Sequence, residues 1–236
     1  MIPKKIHYCW FGRGEMNQKA LKCIESWKKH CPDYELIEWS EDNYDVNGNA
    51  YTAYLYQERK FAFLSDVVRL QKIYEEGGIY FDVDVEAVKS FDDLLNQKAF
   101  FGFETESYIN TGLGFGAEPH NEAVGAMLHE YDSYVGGGIN ETIGSPIINT
   151  RALVKLGLEQ NGKLQHLKDA TVYPPEYFNP YDDPTGILNQ TKNTYSIHWY
   201  AKSWMPMRKR VRSALMKPVH RLFGKDRFSW LTRKKS

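Results

Sequence analysis

The segment that most constrains this fold is Gly77-Gly78-Ile79-Tyr80-Phe81-Asp82-Val83-Asp84-Val85. Its two glycines end a helix, an apolar strand follows over Ile79–Val85, and two carboxylates lie two residues apart in that strand. In an extended chain, residues i and i+2 point to the same side, so Asp82 and Asp84 can converge on one hard cation. Burying both acids is costly unless a metal ion or a proton compensates them. The segment therefore predicts a divalent-metal site that holds a phosphorylated substrate, although a strand end with solvent-facing acids has the same spacing.

Strand and helix patterns alternate around this segment. We expect strands at Lys5–Phe11, Tyr34–Trp39 and Ala99–Glu104, and helices at Asn17–His30 and from about Tyr51 to Glu76. This alternation favours an α/β sandwich with a mainly parallel central sheet flanked by helices. Ligands of such sheets bind beyond the carboxyl ends of the strands, which is where Trp10 and the acid pair would lie.

The charge of the chain is unevenly distributed. Its net charge is zero, with 30 Lys and Arg against 30 Asp and Glu, yet residues 205–236 carry eleven of the basic residues and a single acid. We therefore expect an acidic domain over residues 1–204 and a basic tail over residues 205–236. Cys9, Cys23 and Cys31 lack zinc-ligand or CxxC spacing and predict buried thiols in a reducing compartment. Because the chain has neither a signal-peptide pattern at Met1 nor a run of about 18 apolar residues, we expect a cytoplasmic protein.

The basic tail has the pattern of an amphipathic helix, with apolar residues at Val211, Leu215, Val219 and Leu222 among Arg and Lys. Such a helix is typical of a segment that lies on an anionic membrane. A solvated tail, or one packed on the acidic body, is the alternative. Nucleic acid is not an expected partner, because no base-reading module accompanies the tail.

Asp66 and Arg69 stand three residues apart in a strongly apolar helix, so they share one face of it. They can form a structural ion pair, or they can grip a polar ligand together. In the second case Arg69 donates to phosphate or sugar oxygens, and Asp66 accepts from sugar hydroxyls.

Two further residues are candidates for the same site. Trp10, at the end of the first strand and beside Gly12, can stack on a nucleobase or fill the core. His198 can complete a metal site begun by two carboxylates, or it can be a structural histidine.

These segments, in this order, resemble the bacterial sugar-transferases of glycosyltransferase family 32, which carry a DXD motif and are related to the yeast initiating α-1,6-mannosyltransferase. The resemblance runs from Ile2 to about Trp204. It rests on the segments Ile6–Gly12, Phe61–Arg69, Gly77–Asp84, Ile109–Thr111 and His198–Trp204. The large glucosylating toxins, which use UDP-glucose, share the order more distantly. The resemblance implies a GT-A fold, a UDP-sugar donor, and Mn²⁺ or Mg²⁺ as the cofactor.

The resemblance also implies how the donor nucleotide is bound. Trp10 would stack on uracil, and Tyr80 would lie against the nucleoside. Ser203 and Trp204 would close over the diphosphate, and Asn110 would face the reacting sugar or the acceptor.

For the sugar and the metal, the same resemblance assigns the charged residues. Asp66 and Arg69 would hold the donor sugar. Asp82 would contact both the ribose and the metal, while Asp84 and His198 would be metal ligands.

The implied activity is retaining transfer of a hexose to a saccharide acceptor. We expect an acceptor linked to polyprenyl diphosphate, in capsular polysaccharide or lipopolysaccharide synthesis, with the enzyme peripheral at the inner face of the cell membrane. One alternative is a haloacid-dehalogenase-type phosphatase with Asp82 as nucleophile and Asp84 as acid/base, although Glu86 stands where that family has Thr or Val. Another is a catalytically silent scaffold that binds a sugar or a nucleotide.

Overall fold

The computed structural model describes residues 1–135, 144–202 and 205–224. The strands are β1 (Lys5–Cys9), β2 (Glu35–Trp39), β3 (Gly78–Tyr80), β4 (Val85–Ala87), β5 (Ala99–Gly102), β6 (Phe115–Ala117), β7 (Gln165–His166), β8 (Thr171–Tyr173), β9 (Tyr181–Asp182), β10 (Ile187–Leu188) and β11 (Ser196–His198). The helices are α1 (Gln18–His30), α2 (Ala50–Gln57), α3 (Phe61–Glu76), α4 (Glu122–His129), α5 (Asp132–Val135), α6 (Ser145–Lys155), α7 (Pro175–Phe178) and α8 (Met207–Phe223).

The central sheet has seven strands in the order β2-β1-β3-β6-β5-β8-β7. Parallel pairing joins β1 to β2 and β3, and joins β5 to β8. Strand β6 runs antiparallel between β3 and β5, and β7 runs antiparallel to β8. Five of the seven strands therefore point in one direction, and the predicted mainly parallel α/β sheet is confirmed.

Alternate residues of the strands face two separate hydrophobic layers, as the two-residue period of a strand requires. Ile6 and Ile79 pack with α1, whereas Cys9 and Tyr80 pack with the layer that contains α3. Helices on both faces bury the sheet, and its edge at the carboxyl ends of β1 and β3 is left for the loops that carry the candidate site.

The helical prediction from Tyr51 to Glu76 is correct in kind, but the segment forms two helices. Arg59 takes a left-handed backbone conformation (φ 55°), which ends α2 before α3 begins. At the other end, Gly77 has φ 67° and its N–H donates to the carbonyl of Ile73. Helix α3 therefore ends at Gly77, as the sequence predicts.

The prediction of one continuous strand over Ile79–Val85 is wrong. Strand β3 ends at Tyr80, and a turn lies at Val83–Asp84 before β4 begins. The N–H of Asp82 donates to the carbonyl of Gly112 (3.2 Å), and the N–H of Val85 donates back to the carbonyl of Asp82 (3.0 Å). These bonds take the chain out of the large sheet, so a turn places the two acids.

The basic tail forms α8, which continues through Pro218. On one face, Lys217 donates to the hydroxyl of Tyr181 (2.7 Å) and to Asp183 (3.1 Å), and Arg221 donates to the carbonyl of Thr185 (3.0 Å). The described part of the tail therefore packs on the acidic body. No helix within the described ranges is both long enough and apolar enough to cross a bilayer.

Candidate functional site

The candidate site lies where two neighbouring parallel strands end. Trp10 follows β1, and Asp82 follows β3. The turn after β3 brings Asp84 to the start of β4, which pairs antiparallel with β11. In that pairing His198 stands opposite Val85, so the end of β11 lies beside Asp84.

Asp82, Asp84 and His198 form a compact group of metal-ligand type. One ligand atom from each residue lies within 4.8 Å of the others. The Nε2 atom of His198 is 3.2 Å from Oδ1 of Asp84. Two carboxylate oxygens and one imidazole nitrogen form a donor set suited to a divalent cation such as Mn²⁺.

Two observations support this fit. Nδ1 of His198 is buried and has no hydrogen-bond partner within the described residues. Beside the acids, a Cβ atom added to Gly112 would lie 2.2 Å from Oδ2 of Asp82, so only a glycine leaves that oxygen accessible. The residues present therefore fit a bound cation.

Backbone groups from the C-terminal segment fix the orientation of Asp84. The N–H of Trp199 donates to its carbonyl (2.9 Å), and the N–H of Ala201 donates to Oδ2 (2.7 Å). Tyr200 and Lys202, on either side of Ala201, both have φ 50°. Such conformations are costly for residues with side chains and mark a segment that its surroundings hold in place.

Arg69 bridges Asp66, on its own helix α3, and Asp82, which follows strand β3. Its side chain is 3% exposed, and Nη2 lies 2.9 Å from Oδ1 of Asp66 and 2.9 Å from Oδ1 of Asp82. Its guanidinium also lies over the ring of Tyr80, 4.8 Å from the centroid, and the hydroxyl of Tyr80 donates to Asp82 (3.0 Å). These contacts hold Oδ1 of Asp82 and leave Oδ2 for a ligand.

The charges shift the pKa values of the group. Burial raises the pKa of Asp66 to about 6 against the attraction of Arg69. Burial and the charge of Asp84 raise the pKa of Asp82. Burial opposes ionisation of Asp84, but His198 and the N–H of Ala201 outweigh it and lower the pKa of Asp84. Burial likewise lowers the pKa of His198, but the charge of Asp84 outweighs it and the net pKa is raised. Asp84 and His198 therefore stabilise each other's charged forms.

Asn110 reaches this group indirectly. Its Oδ1 accepts from the N–H of Gly112 (2.7 Å), and its Nδ2 donates to Oε1 of Glu104 (3.1 Å). The same oxygen of Glu104 accepts from the hydroxyl of Tyr200 (3.0 Å), whose ring lies 4.0 Å from that of His198. Sequence reasoning missed Glu104 and Tyr200, because nothing in a strand end or a late aromatic residue indicates that they meet.

The structure thus brings together Asp66, Arg69, Tyr80, Asp82, Asp84 and His198. Tyr80 is 1% exposed, so its ring supports Arg69 and offers no free face to a nucleoside. Trp10 lies at the same sheet edge, half-buried, with its indole N–H on the carbonyl of Gly14 (2.5 Å). Ser203 and Trp204 lie outside the described residues.

Comparison with known proteins relates this site to a family of sugar-transferring enzymes. Residues 17–101 match the family described as a glycosyltransferase sugar-binding region containing a DXD motif. The range includes Asp82-Val83-Asp84. Residues 17–101 are thus similar to the sugar-binding region of DXD-type glycosyltransferases. The family resemblance that the sequence predicts is thereby confirmed.

Relatives of this glycosyltransferase region transfer sugars, according to their names. Inositol phosphoceramide mannosyltransferase 3 of Schizosaccharomyces pombe is 32% identical over 119 residues, which are 48% of this chain and 33% of that protein. Lactosylceramide 4-alpha-galactosyltransferase of Mus musculus is 28% identical over 170 residues, which are 66% of this chain and 46% of that protein. The chain thus spans between a third and a half of the length of these relatives.

A solved structure gives the fold of the same region. The PaToxG glycosyltransferase superposes with a TM-score of 0.52 at 22% identity, over 65% of this chain and 69% of that one. The predicted GT-A fold is confirmed.

Proposed function

We propose that this protein is a metal-dependent, retaining glycosyltransferase that moves a hexose from a UDP-sugar to a saccharide acceptor. The observation that carries the proposal is the group Asp82, Asp84 and His198 at the sheet edge, with Arg69 buried beside it. A cation-binding group next to a fixed guanidinium suits a substrate that carries a diphosphate.

Asp82, Asp84 and His198 would hold Mn²⁺ or Mg²⁺. When bound, a divalent cation neutralises the charge that develops on a diphosphate as the glycosidic bond breaks. Arg69 holds Asp82 in its ligating orientation, and the Ala201 N–H does the same for Asp84. Preorganised donors of this kind act without reorganisation during the reaction.

The remaining residues would bind the donor. Trp10 stacks on uracil, a contact worth about 1–3 kcal/mol by analogy with base stacking in nucleic-acid complexes. Asp66 accepts from a hydroxyl of the donor sugar, and Asn110 faces the reacting sugar.

The transfer retains the anomeric configuration, with attack on the face from which the diphosphate departs. The bond between the anomeric carbon and the diphosphate oxygen breaks, and a bond to the acceptor oxygen forms. The proton of the acceptor hydroxyl passes to the departing diphosphate. This route needs no protein carboxylate as a covalent nucleophile.

Neither alternative activity is favoured by an observation of its own. A phosphatase that uses Asp82 as nucleophile has no use for Asp66 and Arg69, which the structure ties to Asp82. Released UDP, rather than inorganic phosphate, distinguishes the transferase from the phosphatase, and turnover of any donor distinguishes it from a silent scaffold.

The proposal is tested with Asp82→Ala and Asp84→Ala. Each variant should lose at least about two orders of magnitude in release of UDP from a panel of UDP-sugars with Mn²⁺, since each removes transition-state charge stabilisation. Asp42→Ala, at a 76% exposed carboxylate, is the matched control. Full activity in both site variants, with unchanged circular dichroism, would overturn the proposal.

For the acceptor, we propose a saccharide linked to polyprenyl diphosphate, used in bacterial capsular polysaccharide or lipopolysaccharide synthesis at the inner face of the cell membrane. The names of the two relatives above indicate ceramide-linked acceptors, which favours a lipid-linked one here. Helix α8 leaves Val211, Leu215 and Leu222 exposed while its polar face contacts the body. An apolar stripe flanked by Arg and Lys suits an anionic membrane surface.

Liposome co-sedimentation tests the membrane contact. Deletion of residues 206–236 should release the protein from anionic vesicles, and the double variant Leu215→Ser and Leu222→Ser should weaken binding. Leu164→Ser, at an exposed leucine outside the tail, is the control. Unchanged binding of the deletion variant would refute the contact.

A further inference from the structure

A cleft lies next to the group Asp82, Asp84 and His198. This cleft has a volume of about 550 Å³, within the range of sites that bind small molecules. It is formed by the end of β5, by the segment from α7 to β9 and by the residues after β11. We call it the α7–β9 cleft.

The cleft and the candidate donor site share two residues. Glu104 and Tyr200 line the cleft, and Tyr200 packs on His198. Glu104 is also bonded to Asn110, whose other end holds Gly112 beside Asp82. A molecule in the cleft would therefore lie beside the residues that we propose bind the cation and the donor sugar.

The lining of the cleft favours a ligand that donates hydrogen bonds. It contains four carboxylates and one cation, and that cation, Lys202, is bonded to Asp183. Glu104 uses only Oε1 in its bonds to Tyr200 and Asn110, so Oε2 has no hydrogen-bond partner within the described residues. Sugar hydroxyls can donate to such an oxygen, whereas a carboxylate or phosphate group would meet like charge.

We propose that the α7–β9 cleft binds the acceptor as an uncharged, hydroxyl-rich saccharide, and that Glu104 holds this sugar and disfavours anionic ones. The inference rests on the proposed transferase function. The polyprenyl diphosphate of a lipid-linked acceptor would lie outside the cleft, on the side of the basic helix α8, which contacts the cleft wall at Asp183.

The first test measures charge selectivity. Saturation-transfer NMR compares methyl glucoside with methyl glucuronide, in the presence of UDP and Mn²⁺. Glu104→Gln keeps an oxygen for Tyr200 and Asn110 but removes the charge. The wild-type preference for the glucoside should fall by about ten-fold in this variant. Glu106→Gln, at an exposed glutamate two residues away that does not line the cleft, should keep it.

The second test blocks the cavity. Asn189→Trp places a large ring at the cleft, whereas Gln190→Trp places the same ring at the neighbouring exposed position. Binding of the glucoside should be lost only in Asn189→Trp.

The outcomes separate the two proposals. If wild-type protein fails to bind UDP with Mn²⁺, the transferase function itself is overturned. If UDP binds but the glucoside does not, or if Asn189→Trp and Glu104→Gln behave as their controls do, the cleft assignment alone is overturned.

Discussion

Arg69 is the residue on which the charge balance of the site depends. It is buried between Asp66 and Asp82 and stacked on Tyr80, so it stabilises one acid of the DXD motif and a neighbouring acid together. A buried carboxylate without such a partner would carry a large desolvation penalty. Arg69, from helix α3, thus supplies the positive charge that offsets the cost of burying an ionised Asp82 in the turn after β3.

We predict that Gly112 is required for Mn²⁺ binding, as the two acids are. In Gly112→Ala the new methyl group would lie 2.2 Å from Oδ2 of Asp82 and would displace the oxygen that we propose as a cation ligand. We expect Mn²⁺ affinity to fall by about 10–100-fold, the usual effect of disturbing the shell that orients metal ligands. Isothermal titration calorimetry with Mn²⁺ and UDP measures this change.

Gly14→Ala is the matched control, because nothing lies within 4 Å of the added Cβ there. The two variants should have similar melting temperatures and different Mn²⁺ affinities. Equal affinities would contradict the assignment of Asp82 Oδ2 as a ligand atom.

Spacing alone was enough to connect some site residues and not others. Asp66 and Arg69 share a helix face at i, i+3, so their proximity is a local property that the sequence contains. Glu104 and Tyr200 meet across 96 residues of chain, and only the tertiary fold brings them together. The contact between Asp66 and Arg69 was therefore predictable from spacing and that between His198 and Asp84 from the family resemblance, whereas neither indicates that Glu104 and Tyr200 meet.

At the scale of elements, the strand β4 illustrates the same limit. An apolar run through Val85 predicts a single strand, because the pattern does not record which partner each residue pairs with. In the structure β3 pairs with β1 and β6, whereas β4 pairs with β11. Because β3 and β4 pair with different strands, a turn must lie between them at the DXD motif. The pattern of apolar residues does not predict that turn.

Helix α8 should be held on the body by a few polar contacts. In Lys217→Ala with Arg221→Ala, the bonds to Tyr181, Asp183 and Thr185 are lost. We expect amide hydrogen exchange in the helix to become at least about five-fold faster, since even one such bond contributes about 1 kcal/mol. Hydrogen exchange read by mass spectrometry measures this rate.

Lys209→Ala, at an exposed lysine in the same helix, provides the comparison. Its exchange rate should match that of the wild type. If the double variant also matches the wild type, the polar contacts do not hold the helix.

For the whole molecule, His7 should make stability depend on pH. It is fully buried, with Nε2 on the carbonyl of Gly77 (2.9 Å) and Nδ1 accepting from the indole of Trp39 (3.0 Å). Burial lowers its pKa from 6.5 to about 4. Between pH 6.5 and 4 the unfolded chain binds a proton at His7 that the folded chain does not bind. The free energy of unfolding is therefore unaffected by titration of His7 above pH 6.5 and decreases as the pH falls towards 4. The expected loss is about 3 kcal/mol in the free energy of unfolding by pH 4.

Urea unfolding at pH 7 and pH 4.5 measures this loss. His7→Gln should lower stability at pH 7 and reduce the difference between the two pH values, whereas His129→Gln, at a histidine with 84% side-chain exposure, should leave that difference unchanged. A His7 ring that titrates near 6.5 by NMR would contradict the prediction.

The pairing of β11 with β4 also sets an order of events in folding. Asp84 and the Ala201 N–H that holds it are 117 residues apart, and His198 arrives on the same late strand. Contacts of such long sequence separation form late, because a long loop must close before they contribute. During synthesis, a ribosome-bound chain that ends before β11 would already contain both acids of the motif but neither the histidine nor the backbone donors. We therefore expect the group proposed to bind a cation to assemble late in folding, and incomplete chains to lack it.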